Sequence, residues 1–150
     1  MPMTPALVLD TNTVLALWMF RDPGLEALRM HIEAEHCLLH GREDALDELQ
    51  AVLGYAQFGL VPAARSALFD AYRQRLQLSA PALPATAAEA LALPQCRDPD
   101  DQKFLEIARD AGAAFLLTRD RLLLRLARHR LLRTRFAILT PENYLRQLSG

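Results

Sequence analysis

The 150-residue chain reads as an α/β domain built on a mainly parallel sheet. Three observations predict this. Short apolar runs that stop at polar residues recur along the chain: ALVLD, HCLLH, AAFLLT and FAILT. Segments with helical spacing of apolar residues separate them. The runs themselves are continuous rather than alternating, which suits strands covered on both faces.

The elements follow in order. Residues 6–10, ALVLD, form a buried strand ending in a polar turn. TNTVLALWMF then starts a helix, with a Thr or Asn as its cap. Asp22-Pro23-Gly24 is a cap or turn ahead of the helical EALRMHIEA. A second strand is HCLLH, 36–40, and a helix covers 43–53, EDALDELQAVL. A further amphipathic helix opens at Pro62 and covers 62–77. The stretch 79–94, with three prolines, reads as a loop with a strand near its end. DPDDQKFLEIARDAG is a helix with Phe104, Ile107, Ala108 and Ala111 on one face and Gly112 as its stop. AAFLLT, 113–118, is a strand, RLLLRLARH is helical, FAILT, 136–140, is the last strand, and Pro141 opens a terminal helix. There is no internal repeat, and residues 1–150 are expected to form a single domain.

Half of the residues are hydrophobic (51%), enough for a substantial core. No apolar run reaches the roughly 18 residues of a membrane span, and MPMTP lacks the basic start of a signal peptide. Cys37 and Cys96 stand far apart without zinc-site spacing, as expected of buried thiols in a reducing cytoplasm. Charge is uneven. Residues 119–135 hold seven arginines against one aspartate, a net of +6 in a chain of net −1, so the remainder carries −7. Such asymmetry points to a polyanionic partner, although a solvated helix would carry the same residues.

In parallel sheets, sites form at the carboxyl ends of strands. Asp10 ends the first strand, and Asp120 lies just past the strand ending at Thr118. Asp98, Asp100 and Asp101 precede the helix that feeds it. In the 43–53 helix, Ala45, Leu46, Leu49, Val52 and Leu53 share one face, with Glu48 on its margin and Asp44 and Asp47 pointing away. Asp10, Glu48, Asp101 and Asp120 can therefore meet at one end of the sheet. Two carboxylates about 4 Å apart repel by about 4 kcal/mol at an effective dielectric near 20, so a cluster protonates or recruits a cation. All-oxygen ligands favour Mg²⁺ or Mn²⁺. Each acid also has a plainer use. DPDD makes a good helix start, Asp120 a turn, Glu48 a surface residue and DTN an Asx turn.

Three blocks carry a resemblance: LVLDTNTVLA, ELQAVL and DPDDQKFLEIARDAGAAFLLTRD. In order, spacing and total length they resemble the PIN-domain family of metal-dependent ribonucleases. The nearest branch is similar to the VapC-like toxin components of bacterial toxin–antitoxin systems. The resemblance implies a PIN-like three-layer α/β/α fold, with a central mainly parallel sheet flanked by helices. It implies that Asp10, Glu48, Asp101 and Asp120 are the catalytic, metal-binding acids, with Asn12 and Thr118 hydrogen-bonding around them. Asp98 stands as a supporting residue and an alternative to Asp101, and Asp44 or Glu43 as alternatives to Glu48. The implied activity is Mg²⁺- or Mn²⁺-dependent endonucleolytic cleavage of single-stranded RNA in the cytoplasm. The implied partners are the RNA, a small antitoxin protein and a second copy in a homodimer. Many relatives carry another aspartate two residues after Asp120, where this chain has Leu122.

Arg119, Arg121, Arg125 and Arg128 are then placed to track the RNA backbone. LALWMF, 15–20, is expected to supply part of a partner surface, and Trp18, Phe20 and Tyr55 to serve the core, a partner or base stacking. A second reading is a PIN fold that has lost or weakened cleavage and binds RNA or protein. A haloacid-dehalogenase-type phosphohydrolase fits poorly. It wants an aspartate at Asn12 and a late lysine, and Lys103 is the chain's sole lysine.

Overall fold

The computed structural model describes residues 4–79 and 93–149. Five strands form one sheet: β1 (Ala6–Leu9), β2 (Leu38–Gly41), β3 (Leu76–Leu78), β4 (Phe115–Leu117) and β5 (Ala137–Leu139). Every pairing is parallel, in the order β3-β2-β1-β4-β5. The described residues also form seven α-helices: α1 (Thr11–Val14), α2 (Glu26–Glu33), α3 (Glu43–Leu53), α4 (Pro62–Arg73), α5 (Gln102–Asp110), α6 (Arg121–Leu124) and α7 (Pro141–Ser149).

Two apolar layers explain the uninterrupted apolar strands. Leu7 and Leu9 of β1 and Leu117 of β4 face a core with Trp18, Leu28, Ile32, Leu49, Tyr72 and Tyr144. Val8 and Leu116, one residue out of step, face a second core with Phe104, Leu105, Ile107, Leu123 and Ile138. Successive side chains of a strand point to opposite faces, so each central strand feeds both cores. Helices on both sides of the sheet make the three layers.

Connectivity positions the site. From β1 the chain steps outward to β2 and β3, then returns to the other side of β1 for β4 and β5. Strand order reverses between β1 and β4, which leaves a crevice at their carboxyl ends. The last paired rung there is Leu9–Leu117, so Asp10 and Thr118 sit side by side just beyond it.

Several expected elements are corrected. The helix from Pro62 stops at Arg73, and Leu76–Leu78 is an edge strand too short to show a period. A Cβ at Gly41 would come within 3.1 Å of the Leu76 side chain, so glycine there leaves Leu76 room to pack over β2. Asp10 caps α1, not Thr11 or Asn12, and the helix continues as a π-turn over Leu15–Met19. RLLLRLARH is helical only over Arg121–Leu124. Like charges one turn apart, Arg121 and Arg125, weaken its continuation. Gly112 ends α5 with φ of 61°, in the left-handed conformation expected of a helix stop. Of the 79–94 stretch, residues 80–92 lie outside the described residues. Cys37 and Cys96 are buried and unpaired, as expected.

Candidate active site

Asp10 is 3% exposed at the end of β1. Its position as the helix cap brings the Thr13 backbone N–H to within 2.9 Å of Oδ1, and the Thr13 hydroxyl donates to the same oxygen. The Thr118 hydroxyl, reaching across from β4, donates to Oδ2. Thr118 Oγ1 in turn accepts the Asp120 backbone N–H at 2.9 Å. A chain of hydrogen bonds therefore runs from the Asp120 backbone through a wholly buried threonine to Asp10. Burial raises the Asp10 pKa above the ordinary carboxylate value, the Thr118 and Thr13 bonds oppose this, and the Asp120 charge adds to it.

Asp120 caps α6, its Oδ1 accepting from the backbone N–H groups of Leu122 (2.8 Å) and Leu123 (3.2 Å). Asp98 caps the turn Pro99–Asp101, accepting from the Asp100 N–H at 3.0 Å. Asp101 stands at the entrance to α5. Its pKa is pushed up to about 7, first by burial and then by the charges of Asp120, Asp98, Asp10 and Glu48. The sheet end thus places four other acids within electrostatic reach of Asp101. Glu48, half-buried on α3, accepts from the Thr11 hydroxyl and lies 3.2 Å from Lys103 Nζ. Asp44 is instead bound at 2.8 Å by the buried Arg42, which also reaches Glu106, and Glu43 faces Arg73 at 3.8 Å.

Other residues lie elsewhere. Asn12 is exposed and takes no part in the hydrogen bonds around Asp10; Thr13, one residue on, does. Arg119 is held by Asp22 (2.8 Å) and Glu142 (2.7 Å), clamping the 22–25 turn to α7. Arg121, Arg125 and Arg128 are exposed. Leu15 to Trp18 are core residues, Trp18 packing on Tyr72, so of LALWMF only Phe20 is exposed. Phe20 and Tyr55 are exposed and both meet the Phe58 ring. Leu122 packs at the edge of the second core.

Sequence reasoning missed Thr11, Thr13 and Lys103. An N-cap aspartate places residue i+3 within reach of its side chain, and this rule points to Thr13. Thr11 and Lys103 act across 37 and 55 residues, distances that no local pattern reveals.

A family model described as PIN domain matches residues 6–122. The chain belongs to the PIN-domain family. The matched span includes Asp10, Glu48, Asp101, Thr118 and Asp120. Neither the search of curated proteins nor that of solved structures finds a match. PIN domains are generally nucleases and commonly use divalent metal ions. Among the described residues, no three His, Cys, Asp or Glu side chains converge as ready metal ligands. Both Asp10 oxygens and one of Asp120 are taken by protein donors. The donor set nevertheless suits a hard cation: carboxylates alone, with Asp101 raised to about 7 by burial and then by its acidic neighbours, and with the nearby Lys103 drawn to Glu48. No helix among the described residues is long and apolar enough to cross a membrane.

Proposed function

We propose that this PIN domain is a Mg²⁺- or Mn²⁺-dependent endoribonuclease that hydrolyses phosphodiester bonds in single-stranded RNA, and the toxin of a cytoplasmic toxin–antitoxin pair. The observation that carries the reading is the placing of Asp10, Asp120, Asp101 and Glu48 at the strand-order reversal of a PIN fold, where burial first and the neighbouring acids second raise the Asp101 pKa. Asp10, Asp101, Asp120 and Glu48 are the residues that would hold the ion. When bound, such an ion lowers the pKa of an attacking water and offsets charge on the phosphate.

The chain's own contributions follow from the contacts. Thr13 and Thr118 lock Asp10 in one orientation, so the deepest carboxylate needs little reorganisation. Thr11 and Lys103 hold Glu48 at the rim, where it orients water rather than contacting phosphate. Lys103 offsets part of the negative charge that would repel RNA. Arg121, Arg125 and Arg128 leave the acids on the side of α6 and are exposed for phosphate contacts. Arg119 shapes the rim through its ion pairs. The exposed Phe20 and Tyr55, both against the half-buried Phe58, support an apolar partner surface, for a small antitoxin or a second copy.

The test is cleavage of a mixed-sequence single-stranded RNA in Mg²⁺, Mn²⁺ or EDTA by the wild type, Asp10→Asn and Asp101→Asn. Metal-dependent cutting lost in both variants supports the reading; equal cutting by all three proteins refutes the assignment. A second reading, a PIN-fold RNA- or protein-binding module without cleavage, is favoured by one observation. Leu122 stands apolar beside an Asp120 whose Oδ1 already serves as a helix cap. RNA binding without metal-dependent cutting would be its signature.

A further inference from the structure

The acids occupy the carboxyl ends of β1 and β4, yet the strongest positive charge lies elsewhere. From 121 to 135 the chain holds Arg121, Arg125, Arg128, Arg130, Arg133 and Arg135 and no acid. All six are exposed, and none forms an ion pair among the described residues. Outside this segment six of the ten arginines are paired. Arg29, Arg42, Arg73, Arg75, Arg109 and Arg119 each face a carboxylate. Six exposed like charges on one short segment repel one another and favour binding of a polyanion.

The segment also has a shape. Arg128, His129, Arg133 and Arg135 line an open groove of about 690 Å³ whose floor includes Ala114 and Phe136. Ala114 precedes β4 and Phe136 precedes β5, so the groove lies at the amino ends of the strands, opposite the acids. From Ala114 to Thr118 is four residues of strand, roughly 13 Å at about 3.3 Å each. Arg121 opens α6 and Arg125 follows it, both exposed on the chain that leads from the acids to the groove.

We propose that this groove is a second nucleic-acid site. It binds the sugar-phosphate backbone of the same single strand whose scissile bond lies at the acids, and it rests on the ribonuclease reading above. Guanidinium groups suit phosphate geometry through paired N–H donors. A protein partner fits less well. Interfaces between proteins have apolar centres depleted in charge. The large exposed apolar residues, Phe20, Met30, Leu38, Tyr55, Val61, Leu78 and Leu148, all lie outside 121–135. The consequence is a dependence on RNA length: a strand reaching both sites gains the contacts of the second, and one confined to the acids does not.

The test is Arg133→Gln with Arg135→Gln, two exposed positions whose loss leaves the core intact, with folding checked by thermal melting. Binding of a fluorescent single-stranded RNA of about 20 nucleotides, long enough for more than one site, is measured in EDTA against salt. Loss of two phosphate contacts reduces the slope of log K against log salt by about 1.4, roughly sevenfold in the affinity ratio between 50 and 200 mM. The expected result is this loss for the long RNA, with trinucleotide cleavage in Mn²⁺ affected far less. Unchanged long-RNA affinity and slope would overturn the proposal. So would an equal loss with the trinucleotide, which would place the arginines at the acids. Tight binding of poly-glutamate that the double variant loses, without a change for RNA, would assign the groove to an acidic protein instead and also overturn it. Because binding is read in EDTA, a protein that binds long RNA in this way but never cuts would sink the nuclease reading and leave the groove standing.

Discussion

Asp101→Asn should stabilise the metal-free protein while abolishing its function. In the folded state the Asp101 pKa is about 7 against an ordinary 3.8, because burial and four neighbouring acids disfavour its charge. A full shift of that size corresponds to about 4 kcal/mol at about 1.36 kcal/mol per unit. Asp101 is only partly buried, so solvent screening reduces the effect to about 1–2 kcal/mol. The sign follows from proton counting. Between pH 4 and 7 the folded state binds more protons than the unfolded state, so stability falls as pH rises through this window and the penalty is fully present above it. Asparagine carries no charge and escapes the penalty. In EDTA at pH 8 the variant should melt about 2–8 °C above the wild type, at 2–4 °C per kcal/mol for a chain of this size. At pH 5, where Asp101 in the folded wild type is largely protonated, the gap should narrow. Addition of Mg²⁺ should raise the wild-type melting temperature and not that of the variant. Differential scanning calorimetry at both pH values gives the answer. A variant less stable than the wild type, or a gap equal at pH 5 and pH 8, would refute the idea that Asp101 is held against its neighbours' charge.

Three further outcomes follow. Thr118→Val removes a buried donor from Asp10 and the acceptor of the Asp120 N–H; it should cost about 2–4 kcal/mol in urea unfolding, and Thr118→Ser should recover most of this. Lys103→Gln should leave stability within about 0.5–1 kcal/mol, as a partly exposed ion pair contributes little, yet raise KM for RNA by concentrating negative charge at the rim. Arg119→Ala breaks only exposed pairs to Asp22 and Glu142, so it should lower unfolding free energy by no more than about 1 kcal/mol and leave the initial rate of RNA cleavage within twofold, unlike Arg121→Ala.

The central sheet was legible because β1, β4 and β5 are apolar on both faces and stop at polar residues, so period and boundary agree. Helix α3 was legible to the residue, since Leu46, Leu49 and Leu53 repeat on one face. Edge strand β3 was not. Three residues, of which Gln77 and Leu78 are exposed, carry no periodic signal, and their partner strand β2 is distant in sequence. The arginine segment misled as a helix because its leucines have helical spacing, whereas the chain needs Leu123 and Leu132 in one core and turns between them. At the site, four acids could be placed near one another from strand ends and a helical wheel. What orients them could not. Thr11 with Glu48, Thr118 with Asp10 and Lys103 with Glu48 are contacts across the fold, and only the strand order 3-2-1-4-5 brings them together.

The central claim is that the acids at the β1–β4 crevice share one cation. Mn²⁺ titration followed by electron paramagnetic resonance tests it without any assumption about substrate, using the wild type, Asp10→Asn, Asp101→Asn and the distant surface variant Glu35→Gln. Saturable Mn²⁺ binding is expected for the wild type and Glu35→Gln, weakened at least about tenfold, or about 1.4 kcal/mol, by either aspartate substitution. Equal Mn²⁺ binding by all four proteins, or none by the wild type, would contradict it.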